Sequence, residues 1–200
     1  MSDEASSNIW TGDFGYAYTA RNVVDWRTRT EAWHAMLGAI WDTGATIGSI
    51  LEVGCNRGHN LKAIAEITRR RLEVRGIDIS MAGIMDALVP TVKQGTIDRE
   101  PSESADLVFT AGLLIHIPPE DLDDMLRHIV RVSRRWVLAI EYYAPEPTEI
   151  TYQGQAGLLW KRDFEADYQR VADLRGVATG FWDTEHGFDR CHWWLMEKVA

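Results

Sequence analysis

Two hundred residues with 46% hydrophobic and 26% charged side chains describe a globular chain long enough to bury one substantial core. The net charge of −9 argues against a partner held through phosphates, because nucleic-acid binding rests on Lys and Arg neutralising the backbone. Cys55 and Cys191 lie too far apart in sequence for a Cys-x-x-Cys metal or redox motif, and no apolar run approaches the roughly 18 residues of a membrane span.

Residues 1–8 are acidic and polar, without the apolar stretch of a signal peptide, and read as a frayed tail in a cytoplasmic protein. "WTGDFGYAYTARN" (10–22) reads as neither a simple helix nor a strand. A helix is predicted from Val23, capped by Asn22, with Val23, Trp26, Trp33, Leu37 and Ile40 at helical spacing. Strand Ile50–Val53, helix Leu61–Arg71, strand Glu73–Ile77, a short helix over Ala82–Leu88 and strand Thr91–Lys93 follow. Strand Asp106–Thr110 comes next, then a helix from Pro119 to about Ser133 behind Pro118, then strand Trp136–Ile140. "EYYAPEPTEITYQGQAG" (141–157) reads as an irregular excursion. Beyond it come a helix over Asp163–Val171 and two strand-like runs, Gly180–Trp182 and Cys191–Lys198, read as an antiparallel pair. Trp26, Trp33 and Trp136 fall at core spacing, and Trp193 and Trp194 must point to opposite faces of their strand.

Alternating apolar strands and amphipathic helices predict an α/β fold: a mostly parallel sheet covered on both faces, closed by the C-terminal antiparallel hairpin. One domain spans 1–200, with an N-terminal lid and helix (1–47), a core (48–141), and an excursion with terminal strands (142–200).

In such a sheet, ligands bind beyond the carboxyl ends of the strands. There the first strand delivers "LEVGCNRGHN": the acid Glu52, then a turn through Gly54, Cys55, Asn56 and Gly58. The second delivers Asp78, placed to accept both ribose hydroxyls of a nucleoside, followed by Ile79. The third delivers Thr96, Ile97 and Asp98, with Ile97 against a base ring and Asp98 taking an exocyclic amine; the fourth delivers Thr110. A pyrophosphate needs a second glycine in the turn and no neighbouring acid, whereas Asn56 and Glu52 stand here. S-adenosyl-L-methionine carries a cationic end and no phosphate, and it suits the turn better than NAD.

The ordered set "LEVGCNRGHN", "GIDIS", "KQGTID" and "DLVFTAGLLIHIPPEDL" resembles the class I S-adenosylmethionine-dependent methyltransferases, over roughly residues 48–141. The flanks "GDFGYAYTARN", "EYYAPEP", "WKRDF" and "WWLMEK" narrow the resemblance to methylases associated with pseudaminic acid biosynthesis. The resemblance implies a Rossmann-like, seven-stranded fold in which Gly54 and Gly58 shape the cofactor turn, Glu52 lies near the methionine moiety, Asp78 takes the ribose and Ile97 flanks adenine. Asn56 departs from the general pattern, which has glycine there.

Methyl transfer is an in-line displacement at an activated methyl, so the protein's work is positioning, water exclusion and, for a hydroxyl or ammonium acceptor, proton removal. His116, Glu141 and Tyr142 are the catalytic candidates, each with a packing role as its alternative. Tyr18 and Arg21 are expected to reach the cofactor from the lid, and Tyr16, Tyr143, Lys161 and Arg162 to meet a polar, anionic small-molecule acceptor. Nothing suggests a metal site, a nucleic acid or a membrane as partner; a homodimer is compatible with the chain. Two rivals stand: an NAD-dependent oxidoreductase on the same strand–turn–helix, and a non-catalytic module that binds S-adenosylmethionine.

Overall fold

The computed structural model describes residues 9–199. Residues 9–11 are helical, and α1 (Asp13–Arg21) follows, then a 3-10 turn over Trp26–Arg29 and α2 (Thr30–Trp41). The chain continues through β1 (Ser49–Val53), α3 (His59–Ile67), β2 (Glu73–Asp78), α4 (Met81–Met85), β3 (Val92–Gln94) and β4 (Ala105–Ala111). After a 3-10 turn at Leu114–His116 come α5 (Pro119–Val132), β5 (Ser133–Glu141), the short pair β6 (Thr148–Glu149) and β7 (Trp160–Lys161), α6 (Phe164–Val171), β8 (Leu174–Trp182) and β9 (Cys191–Lys198).

Seven strands form one sheet in the order β3-β2-β1-β4-β5-β9-β8. The first five run parallel, and β9 lies antiparallel between β5 and β8. Register aligns Val53 with Ile77 and with Thr110, and Ala111 with Ile140, so the strands end together at one edge. Each face carries its own core. One holds Trp33, Met36 and Leu37 of α2 against Phe109 and Trp136; the other holds Leu122, Leu126 and Ile129 of α5 against Val108 and Val137. Trp193 joins the first core and Trp194 the second, as strand alternation requires. No helix among the described residues is long and apolar enough to cross a membrane.

Three local expectations are corrected. Residues 13–21 are helical, because Phe14 packs on Tyr152 and Tyr18 on Trp10, which makes up for the weak propensity of Gly15. Asn22 therefore closes α1, with its N–H on the Tyr18 carbonyl, and the long helix starts at Thr30 after the 3-10 turn rather than at Val23. β8 begins at Leu174, six residues earlier than Gly180, since β9 offers it a full partner edge. The predicted tail, residues 1–8, lies outside the described residues.

Candidate active site

Between β1 and α3 the chain takes positive φ at Gly54 (72°), Asn56 (46°) and Gly58 (75°). Asparagine tolerates this left-handed conformation better than most side chains, which is why the turn survives with Asn56 at its centre. Asp78 ends β2 facing the turn: one carboxylate oxygen accepts the Asn56 N–H at 2.7 Å and the other the Ser80 N–H at 2.7 Å. Burial raises its pKa against these bonds. Leu113 packs against Gly54, so the turn is pressed between two strand ends.

Glu52 is 2% exposed. Its Oε1 accepts from Asn60 Nδ2 at 2.7 Å, while Oε2 is buried without a partner. Burial pushes its pKa up to about 8. Asn60 in turn accepts from Arg29 Nη1 at 2.8 Å and from Trp33 Nε1 at 3.2 Å. Arg29 is fixed further by the Gly187 carbonyl at 3.0 Å and by the Phe188 ring 4.7 Å below its guanidinium.

These groups border a cavity of about 870 Å³. Along one arm it meets Asp78, Ile79, Thr96, Ile97 and Asp98, as expected of a nucleoside compartment. Along the other it meets Trp10, His116, Tyr142, Tyr152 and Asp189. Tyr18 and Arg21 line it from α1; Tyr18 accepts from Asn22 Nδ2 at 3.1 Å, and burial pushes its pKa up to about 12.

His116 is 8% exposed, between Trp10 (ring centroids 4.6 Å apart) and Tyr152 (5.3 Å). Its Nδ1 lies 2.6 Å from the Leu158 carbonyl oxygen. A carbonyl can only accept, so Nδ1 carries the proton and Nε2 keeps its lone pair. Burial lowers the imidazole pKa, leaving the ring neutral near pH 7. Tyr142 donates its hydroxyl to Asp189, and burial and that carboxylate hold its pKa well up.

Several expected residues fall elsewhere. Glu141 does not border the cavity: Ile140 and Tyr142 do, and alternation turns Glu141 to the opposite face. There its carboxylate accepts from the N–H groups of Leu113 and Leu114, both at 3.2 Å, fixing the 3-10 turn that carries His116. Burial pushes Glu141 to about 7. Thr110 is buried in the sheet away from the cavity, and Gly58 shapes the start of α3 without facing it. Tyr16 is half exposed outside the cavity. Tyr143 packs on His192 and Trp194, Lys161 covers the outer face of the Tyr142 ring, and Arg162 pairs with Asp167 at 3.4 Å; none of the three borders the cavity. Asp121 and Asp124 of α5 lie at its rim.

Arg29, Asn60, Trp10, Tyr152 and Asp189 were missed. Asn60 carries a readable signal, eight residues after Glu52 and inside the first turn of α3. The others come to the cavity from segments distant in sequence. Among the described residues no His/Cys/Asp/Glu group could hold a metal ion.

Residues 50–135 match the family model described as Methyltransferase domain. The segment that carries the turn and both acids is thus similar to methyltransferase domains. The chain is similar in structure to magnesium protoporphyrin IX methyltransferase from Synechocystis PCC 6803 with bound SAH, at 15% identity and TM-score 0.69, covering 98% of this chain and 100% of that one. It is also similar to the 1,6-didemethyltoxoflavin-N1-methyltransferase of Burkholderia thailandensis, at 16% identity and TM-score 0.64, covering 100% and 87%. These likenesses show the Rossmann-like methyltransferase fold. No curated protein sequence matches the chain.

Proposed function

We propose that this protein is an S-adenosylmethionine-dependent methyltransferase acting on an oxygen or nitrogen of a small polar molecule. The observation that carries the reading is the pair of acids about the glycine–asparagine turn, Glu52 buried and Asp78 partly buried, both lining one cavity. Glu52 Oε2, buried and unpartnered, suits the ammonium end of the cofactor, and Asp78 keeps lone pairs for a ribose. Both similar structures contain bound S-adenosylhomocysteine, and a third, the Synechocystis enzyme with SAM, has a TM-score of 0.67 at 17% identity. When bound, S-adenosylmethionine supplies an activated methyl on a sulfonium. The chain's own part is to hold an acceptor beside His116 and Tyr142, to shed water under α1, and to take the acceptor's proton at His116 Nε2.

An anionic acceptor, a sugar acid or amino sugar of the kind suggested by the resemblance to pseudaminic acid-associated methylases, fits Arg29 and Arg21, which border the cavity. Lys161 and Arg162 do not support it. The same reading needs no nucleic acid or membrane, works in the cytoplasm and leaves room for a homodimer.

Calorimetric titration with S-adenosylmethionine, S-adenosylhomocysteine and NADH tests it. Micromolar binding of the sulfur ligands, about 8 kcal/mol, is expected, with no heat from NADH. NADH binding alone would return the turn to the dinucleotide enzymes.

A further inference from the structure

The Asn56 side chain has partners on two segments. Its Oδ1 accepts the Arg57 N–H at 2.9 Å within the turn, and its Nδ2 donates to Thr19 Oγ1 at 2.9 Å on α1. A glycine would meet the positive φ equally well, so conformation alone does not call for asparagine. The backbone that aims this side chain is itself clamped. Its N–H is on Asp78, and α4 approaches so closely that a Cβ on Gly83 would stand 2.7 Å from the Asn56 carbonyl carbon. Thr19 is 2% exposed and Asn56 partly buried, so the bond is partly shielded from water, where it is worth more than at the surface. α1 brings Tyr18 and Arg21 to the cavity, next to the anchored Thr19.

We infer that Asn56 is a positioning residue that latches α1 to the cofactor turn, so that occupation of the nucleoside arm at Asp78 and closure of the cavity by α1 are coupled through one side chain. Asp78 holds the Asn56 backbone, Asn56 holds Thr19, and Thr19 holds the helix that roofs the cavity. This inference rests on the proposed cofactor for its ligand, but the latch itself exists without one.

The experiment measures hydrogen exchange of amides 13–21 with and without S-adenosylhomocysteine, and the dissociation rate of that ligand by stopped flow, in the intact protein and in three variants. Asn56→Gly keeps the turn's φ, Thr19→Val keeps the shape but not the hydroxyl, and Thr19→Ser keeps the hydroxyl. The loss of one shielded hydrogen bond is expected to speed dissociation about fivefold and to speed exchange in α1 in both Asn56→Gly and Thr19→Val. The double variant should be no faster than Asn56→Gly alone, and Thr19→Ser should stay near the parent. Unchanged exchange in α1, or additive effects of the two substitutions, would overturn the latch. Failure of the parent to bind S-adenosylhomocysteine would overturn the proposed cofactor instead, and the ligand-free exchange of α1 would still judge the latch.

Discussion

The turn between β1 and α3 and the roof over the second arm of the cavity are held by different kinds of contact. The turn is set by backbone: positive φ at Gly54 and Asn56, a register that brings Val53 level with Ile77, and the Asp78 carboxylate bonded to two main-chain N–H groups. The roof is set by side chains from distant segments, Trp10 and Tyr152 about His116, and Tyr142 bonded to Asp189. Backbone-built sites are fixed by the sheet and recur wherever the sheet does. Side-chain-built sites can change with single substitutions, which suits the first to a common cofactor and the second to a particular acceptor.

The sharpest contrast is in stability. Phe109 is fully buried, with its ring 4.7 Å from Trp33, and Phe109→Ala should cost about 3–5 kcal/mol in urea unfolding. Trp10→Ala, on the roof, should cost far less; equal losses would mean the roof is part of the framework. Next is cofactor affinity: Asp78→Ala should weaken S-adenosylhomocysteine binding by about 1.5–3 kcal/mol, measured by calorimetry, whereas Tyr152→Ala should leave it near the parent value. A comparable loss at Tyr152 would erase the division between the arms.

Buried acids set the third expectation. Glu52 is raised to about 8 and Glu141 to about 7, both by burial. Each binds its proton more tightly folded than unfolded, so their contribution is present below about pH 4.5 and is lost as pH rises through those values. The urea midpoint should therefore fall from about pH 5 to about pH 8.5, and Glu52→Gln should flatten part of that slope. A midpoint that rises with pH, or a Gln variant as steep as the parent, would contradict the burial argument. Nitrogen NMR of His116 gives a smaller signal: protonation below the ordinary histidine range, with hydrogen on Nδ1. The smallest effect is expected from Lys161→Ala, which should leave S-adenosylhomocysteine affinity unchanged; a clear loss would bring β7 back into the site.

The division between the arms also explains what was legible in the chain. Glu52, the turn, Asp78 and Ile97 follow from period and spacing, because a strand end and the turn after it are local in sequence. The α1 helix was not legible, since Gly15 and its three aromatics mean little until Trp10 and Tyr152 are folded against them. Glu141 misled for the same reason: its position at a strand end was right, but which face it takes depends on the phase of β5. Lys161 and Arg162 read as an anion site from charge alone, when packing on Tyr142 and pairing with Asp167 decide their direction. Arg29 had no local signal at all, being defined by Gly187 and Asn60.

The bond from His116 to the Leu158 carbonyl has a consequence for inheritance. It makes the position of a proton on the imidazole depend on the course of a loop, not on the identity of any side chain in it. Every residue carries a backbone carbonyl, so substitution at Leu158 itself does not remove the acceptor that fixes the proton on Nδ1. Insertion or deletion of one residue ahead of Leu158 is instead expected to displace that carbonyl, which nitrogen NMR would read as loss of the proton from Nδ1.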